Sequence, residues 1–330
     1  MFKITLSNNK AFFCEENSTI FDAAKNAKLL LDHSCLSARC RSCAVKIVSG
    51  KTQNLFEENV LSEEERGSNF VLSCNAKPLS DLVLDIEDLS GITIHDKRII
   101  PSKIDSINYL SKSVVKVSLR LPPNSNFNFN PGQYVNIIKG DLTRSYSISN
   151  SPRDTANLEF YIRKYENGLM SKYWFEEAKK NDLLRIEGPI GTFFLRESSY
   201  SNIVFIATGT GIAPIKSIIE SIETSEIKNK ETKFWVILGA RNEEDIFWDI
   251  FKSETDLNIE YITVLSKPSV NWNGPIGYVQ DVVLKLNLDL SNTQVYACGS
   301  DKMIESAKNL FIQNSLLVSN FYSDAFIQTN

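Results

Sequence analysis

Four of the six cysteines in this 330-residue chain are spaced to hold metal. Cys35, Cys40 and Cys43 fall in the stretch CLSARCRSC as C-x4-C-x2-C, and Cys74 follows after thirty residues in FVLSCNA. That spacing matches a [2Fe–2S] ligand set. Four thiolates must converge on two irons: a tight loop supplies three and turns its backbone N–H groups toward the sulfurs, and a distant segment supplies the fourth. A zinc knuckle can also use four cysteines, but zinc motifs usually pair them as C-x2-C twice. Cys14 stands apart and reads as a small core or edge residue.

The elements around the cysteines are short. FKITLS and KAFFCEE alternate apolar and polar positions and predict a hairpin, and STIFDAAKNAKLL predicts a helix capped by Ser18 with Ile20, Ala23, Ala24 and Ala27 on one face. AVKIVSG and DLVLDIEDL add two strands. A polar connector ending at Pro101 follows, and the pattern becomes antiparallel: KIDSINYL, SVVKVSLRL, GQYVNIIK, SYSISN, LEFYIRK and LLRIEG, separated by turns such as LPPNSN and KGD, predict a six-stranded barrel. From residue 201 apolar strands alternate with helices through NIVFIATG, APIKSIIESI, KFWVILGA, IFWDIFK, IEYITVLS, YVQDVVLKL, TQVYACGS and KMIESAKNLFI. That is the pattern of a doubly wound parallel sheet, whose ligands sit at the carboxyl ends of its strands. The expected architecture is α+β and α/β multidomain, with domains at residues 1–90, 102–198 and 199–330 and a linker at 91–101.

Composition narrows the function. No run approaches the 18 or so apolar residues needed to span a bilayer, and the polar, alternating start MFKITLSNNK is unlike a secretory leader, so we expect a cytoplasmic protein that does not contact membrane. Clustered thiols there bind metal more often than they form disulfides. The net charge is −4. Residues 1–90 hold thirteen acidic and ten basic side chains, which puts most of the excess beside the cysteines. Nothing in the charge pattern suggests nucleic acid. A slightly acidic N-terminal module suits a basic docking surface on a protein partner, and it is equally ordinary surface charge.

The hairpin, helix, cysteine loop and strand order over residues 1–90 resembles the β-grasp of plant-type ferredoxins. Those loops usually carry glycine where this chain has Ala38 and Arg41, so the loop must either tolerate left-handed backbone at non-glycine residues or wrap differently. Arg144, Tyr146 and Ser147 in RSYSISNSP, with PGQY (131–134) ahead of them and GPIGTFFL (188–195) behind, resemble the R-x-Y-S and G-P-x-G-x-F motifs of ferredoxin–NADP reductase-like flavoproteins. The resemblance implies FAD with Arg144 on its pyrophosphate, Tyr146 against the isoalloxazine, Ser145 in the same strand and the Ser147 hydroxyl near flavin N5. It further implies that Ile162 and Arg163 line the flavin and its adenosine side, and that Gly168, Leu169, Met170 and Ser171, which open a helix, give a second pyrophosphate contact. ATGTGIAP resembles the family's G-T-G-x-A-P turn, where Gly209, Thr210 and Gly211 admit the nicotinamide nucleotide. Arg241 then falls near the adenosine ribose or phosphate, Cys298 and Gly299 beside the nicotinamide, and Phe326 is the terminal aromatic that must move for nicotinamide to enter. The lesser alternative for Cys298 is a buried structural thiol, and Phe326 reads equally as a core anchor.

All three modules together resemble the iron–sulfur flavoreductases across essentially the whole chain. LRLPP, GQY, LRIEGPIGTFFLRE, VYACGS and FYSDAF resemble in particular those reductases that serve 3,6-dideoxyhexose biosynthesis for lipopolysaccharide O-antigen. That implies NAD(P)H, FAD and a [2Fe–2S] cluster, with electrons passed to a separate pyridoxamine-phosphate-dependent sugar dehydrase by a chain that is monomeric when free. The reductase component of a ring-hydroxylating dioxygenase or multicomponent monooxygenase has the same domain order and stands as the alternative. A metal-stabilised binding module without redox activity is the alternative of another class. Acidic side chains in NEEDIF after Arg241 would repel a ribose 2′-phosphate and favour NADH, and Arg241 gripping that phosphate would favour NADPH.

Overall fold

The computed structural model describes residues 1–89, 91–153, 156–196, 199–222, 232–247 and 258–325. They divide into two compact units, Met1–Ile94 and one that begins at His95.

The first unit contains strands β1 (Phe2–Leu6) and β2 (Ala11–Cys14), helix α1 (Ile20–Asn26), strands β3 (Ala44–Ser49) and β4 (Thr52–Asn54), helix α2 (Glu63–Gly67), and strands β5 (Phe70–Leu72), β6 (Ala76–Pro78) and β7 (Leu82–Asp85). Five strands form one sheet in the order β2-β1-β7-β3-β5, and β4 pairs with β6 separately. β1 and β2 make the expected hairpin, while β1 runs parallel to β7. Period-2 alternation sends Ile4, Leu6, Phe12, Val45, Leu82 and Leu84 to one face, where α1 covers them with Ile20, Ala23 and Ala24. Two details of α1 differ from expectation. Thr19, not Ser18, is its cap, because the helix begins at Ile20 and Thr19 is the residue whose side chain accepts from Asp22 N, at 3.0 Å. The helix also ends at Asn26, short of the Leu30 to which the helical pattern runs, so Ala27 is its exposed C-cap.

The second unit opens with six antiparallel strands: β8 (Arg98–Tyr109), β9 (Val114–Arg120), β10 (Tyr134–Lys139), β11 (Leu142–Ser147), β12 (Asn157–Arg163) and β13 (Leu183–Ile190). Their order is β11-β10-β13-β8-β9-β12. The two outer strands meet just past the end of β11, where Ser149 N donates to Glu159 O at 2.8 Å and Asn150 Oδ1 accepts from Glu159 N at 2.8 Å. Residues 98–101, read as connector, are strand. Pro101 is tolerated because at that point β8 pairs with β13 alone, and its pairing with β9 starts at Lys103, so no ladder donor is missed. Between β12 and β13 lie α3 (Leu169–Lys172) and a π-helical turn, Tyr173–Glu177, whose Tyr173 and Trp174 enter the barrel core.

The remaining elements are β14 (Asn202–Thr208), α4 (Ile212–Ile222), β15 (Lys233–Ala240), β16 (Ile259–Leu265), α5 (Val279–Lys285), β17 (Thr293–Gly299), α6 (Asp301–Gln313) and β18 (Phe321–Ala325). The strands are parallel, in the order β16-β15-β14-β17-β18. Both faces are buried: α4 covers Phe205, Val236, Tyr296 and Cys298, while α5 and α6 cover Val204, Ile206, Val295 and Ala297. Continuous apolar strands such as NIVFIA are the sequence form of that double burial. β18 was not anticipated; FYSDA carries too many polar residues to read as a buried strand. In IFWDIFK, expected to be helical, residues 248–252 lie outside the described residues, and Ile246 follows a short 3-10 turn at Glu243–Asp245.

Candidate functional site

The cysteine loop brings its four thiols together as two touching pairs. Cys35 N donates to Cys40 Sγ at 3.2 Å, and Cys43 Sγ lies 3.3 Å from Cys74 Sγ. The fourth cysteine is delivered by a main-chain tie, Ser73 N to Cys43 O at 2.9 Å. Ser37 N and Arg39 N both donate to Cys35 Sγ at 3.4 Å, and the Ala38 N–H bonds the Cys74 sulfur. Such N–H···S bonds favour thiolate. Within each pair one sulfur is drawn toward thiolate by the other's S–H: Cys40 lowers Cys35 well below an ordinary thiol, and Cys43 lowers Cys74. Their partners, Cys40 and Cys43, are pushed up by that same bond and by burial. The backbone does tolerate what glycine would have eased: Leu36, Ala38 and Arg41 sit at φ of 51°, 53° and 63°. Ala38 gains by packing its methyl among Phe21, Leu61 and Leu72. Arg41 gains by reaching Val60 O at 2.7 Å and pairing with Glu65 of α2. Four thiols, with backbone donors aimed at Cys35, Cys40 and Cys74, form a donor set that fits a [2Fe–2S] cluster. Cys14 is buried in the hairpin core, its thiol pushed up to about 11 by burial.

On the barrel, β11 alternates its candidates between two faces. Tyr146 packs on the core, edge-on to Trp174 at 6.3 Å between ring centroids, and its hydroxyl accepts from Trp174 Nε1 at 3.1 Å. Burial pushes its phenol up to about 12. Arg144 shares that side, half-exposed, with Nη1 donating to Thr143 O at 2.8 Å. Ser145, on the opposite side, donates to Asn136 Oδ1 at 2.7 Å, and Ser147 is buried opposite Tyr134. Ile162 and Met170 have their side chains in the barrel core, leaving only main chain available to a ligand. Gly168 caps α3 without a side-chain bond, Leu169 is exposed, and Ser171 Oγ accepts from Tyr165 N at 3.0 Å, which leaves its O–H to donate. Arg163 crosses to the parallel sheet: a Cβ at Gly209 would lie 3.3 Å from its Nη1.

The carboxyl ends of β14 and β17 meet through missing side chains. A Cβ on Gly211 would lie 2.3 Å from Cys298 O, and one on Gly299 would lie 2.4 Å from Thr208 Oγ1. Gly209 (φ 55°) turns the chain ahead of α4, and Thr210 is buried beneath the turn. These glycines let the turn after β14 and the end of β17 pack backbone against backbone at the carboxyl edge of the sheet, where nucleotides bind in such folds. Cys298 itself is fully buried, its thiol raised by burial first and then by Asp324, so it can shape the site without reacting. Arg241 is exposed past the end of β15, while the neighbouring Glu243 accepts from Ser269 Oγ at 2.7 Å and Ser269 N at 3.0 Å, which lowers its carboxyl. Phe326 lies outside the described residues.

Three family models match in succession: the 2Fe-2S iron-sulfur cluster binding domain over residues 4–79, the oxidoreductase FAD-binding domain over 101–195 and the oxidoreductase NAD-binding domain over 205–309. A Yersinia pestis protein named CDP-6-deoxy-L-threo-D-glycero-4-hexulose-3-dehydrase reductase is 37% identical over 319 residues, covering 96% of this chain and 95% of its own. The chain is an iron–sulfur flavoreductase. It is also 30% identical to the phenol hydroxylase P5 protein of Acinetobacter pittii, over 95% of this chain and 90% of that one. Its fold matches the cytochrome P450 reductase GcoB of Amycolatopsis, with a TM-score of 0.73 at 22% identity and 99% coverage of both chains.

In this flavoreductase the same segments are held by residues that the motif reading missed. Trp174 orients Tyr146, and Asn150 closes the barrel behind RSYS. Lys216, Ser217 and Glu220 of α4 reach the same segment. The α4 residues had a signal: polar side chains recur at i and i+4 in the otherwise apolar APIKSIIESI. Trp174 had none, being one aromatic among several in SKYWFEEA. The flavoreductase passes electrons from nicotinamide to a partner enzyme, and no described helix is long and apolar enough to cross a membrane.

Proposed function

We propose that this flavoreductase supplies electrons, in the cytoplasm, to a pyridoxamine-phosphate-dependent sugar dehydrase, as a CDP-6-deoxy-3,4-glucoseen reductase of 3,6-dideoxyhexose biosynthesis. The observation that carries the reading is the 37% identity, over nearly the full length of both chains, to a relative named for that dehydrase. Cys35, Cys40, Cys43 and Cys74 hold the cluster. Arg144 neutralises the FAD pyrophosphate with the N–H groups of Gly168 to Ser171, Tyr146 offers its ring to the isoalloxazine, and the Ser147 hydroxyl lies toward its reactive edge. Gly209, Thr210, Gly211 and Gly299 admit the nicotinamide, and Arg241 borders its adenosine end. FAD held there would supply two-electron uptake as hydride and one-electron release, which suits a cluster that carries one electron at a time.

NADH is the proposed donor, because Glu243, Glu244 and Asp245 follow Arg241 at the end of β15 and would repel a 2′-phosphate. We expect kcat/KM for NADH to exceed that for NADPH by at least tenfold in steady-state assays, and the reverse preference would assign Arg241 to the phosphate.

The test of the partner is anaerobic NADH consumption by this protein mixed with a purified CDP-4-keto-6-deoxyglucose dehydrase and its sugar substrate. NADH oxidation with a 3-deoxy product only when both proteins are present supports the reading. Rapid bleaching of flavin and cluster with unchanged sugar overturns it and moves the assignment to an oxygenase, in line with the 30% identity to the phenol hydroxylase component.

A further inference from the structure

α4 touches both cofactor segments of the second unit. It begins directly after the Gly209–Gly211 turn, and its middle grips the three residues that follow RSYSI. Ser217, wholly buried, donates to Asn150 O at 2.7 Å, and Lys216 Nζ reaches Ser149 O at 3.2 Å. One turn further on, Glu220 Oε2 accepts from Ser151 N at 3.0 Å, and Ser151 Oγ lies 3.3 Å from Ser221 Oγ. Lys216 and Glu220 also pair with each other. Beside this grip, Ile218 abuts Gly132 of PGQY, where a Cβ would come within 3.0 Å of its Cδ1. The gripped segment is not a loose loop: Asn150 is tied to β12 through Glu159 N at 2.8 Å and Asn157 O at 3.0 Å.

These contacts have a mechanical consequence. A helix rises 1.5 Å per residue, so Ser217 stands only about 8 Å along the axis from Ile212, where the nicotinamide turn ends. One rigid rod thus carries that turn at its head and holds the carbonyls behind the flavin strand at its waist. We propose that Ser217 and the Lys216–Glu220 pair are positioning residues that set the gap between nicotinamide and flavin. This rests on the reading that FAD lies along β11 and the nicotinamide on the Gly209–Gly211 turn. Hydride transfer is steep in distance, since a misplacement near 1 Å costs on the order of 100-fold.

The test compares Glu220→Ala, Glu220→Gln and Ser217→Ala in the full-length, cofactor-loaded protein. Glu220→Gln keeps an acceptor for the Ser151 N–H; Glu220→Ala removes it. We expect Glu220→Ala and Ser217→Ala to retain FAD at the wild-type ratio and to slow flavin reduction in stopped-flow with NADH by tenfold or more, with an increased isotope effect for 4-deuterated NADH and little change in KM. Glu220→Gln should recover most of the rate. Amide exchange gives a readout independent of turnover: Ser151 N–H should exchange faster in Glu220→Ala than in wild type or Glu220→Gln. Folded, FAD-loaded Glu220→Ala and Ser217→Ala that reduce flavin at the wild-type rate would overturn the proposal, and so would Glu220→Gln as slow as Glu220→Ala. Failure of the underlying reading looks different, because the wild-type protein itself would then not be bleached by NADH.

Discussion

At the scale of single residues, the cysteine loop sets two opposed effects against each other. A non-glycine residue in left-handed backbone costs about 1 kcal/mol or somewhat more. Ala38 recovers most of this, since burying one methyl contributes about 0.8 kcal/mol, so Ala38→Gly should leave the unfolding free energy of the holoprotein in urea titrations within a few tenths of a kcal/mol of wild type. Arg41 is different because its guanidinium bonds Val60 O and Glu65. Arg41→Ala keeps the strain and loses both bonds, and should destabilise the cluster-bearing unit by about 2 kcal/mol; Arg41→Gly should be about 1 kcal/mol less harmful, and a glycine variant worse than the alanine one would show that the φ values carry no cost. On the flavin side, Tyr146→Phe keeps the ring and strips the acceptor from Trp174 Nε1–H. An unpaired buried donor costs roughly 1–3 kcal/mol, so this variant should melt earlier while retaining more FAD through dialysis than Tyr146→Ala.

At the scale of elements, short segments are held by polar ties rather than by their own length. The turn before α2 is organised by Glu58, whose carboxylate accepts from Val60 N at 2.8 Å and Leu61 N at 3.0 Å and pairs with Arg66 at 3.1 Å. Burial opposes ionisation there, but those donors outweigh it and hold the carboxyl below its ordinary value of 4.5. A depressed carboxyl contributes stability that is present above the unfolded pKa and is lost as pH falls through the folded one. The cluster-bearing unit should therefore weaken progressively below about pH 4.5, and Glu58→Gln should flatten that part of its stability profile; an unaltered acid limb in urea titrations would remove Glu58 from the account. The reach of sequence reading follows the same division. Strands with strict alternation or continuous apolar runs, such as LEFYIRK and NIVFIATG, were legible because burial dictates their pattern. The α2 cap was legible too, as Ser62-x-x-Glu65, a reciprocal capping box that the reading passed over. β18 and the shift of the α1 cap from Ser18 to Thr19 were not legible, because β18 is decided by a neighbour distant in sequence and two adjacent hydroxyl residues offer the same cap chemistry one position apart. The clustering of Cys35, Cys40, Cys43 and Cys74 was legible from spacing alone, whereas Trp174 and Asn150 act through partners more than seven residues away or across the barrel wall.

At the scale of the molecule, the two units separate the one-electron chemistry from the hydride chemistry, and their functions should separate under mutation. Cys74→Ser should abolish reduction of one-electron acceptors that depend on the cluster while flavin reduction by NADH proceeds at close to the wild-type rate; undiminished cytochrome c reduction would argue against Cys74 as a ligand. Within the second unit no such separation is available. The absent Cβ of Gly211 lets the turn after β14 rest on the Cys298 carbonyl at the end of β17, so two stretches far apart in the sequence share one surface. A designer who wishes to exchange the nicotinamide-facing stretches between relatives should therefore transplant ATGTGIAP and YACGS as a matched set, since either one fitted against a foreign counterpart would meet it as an ill-cut joint.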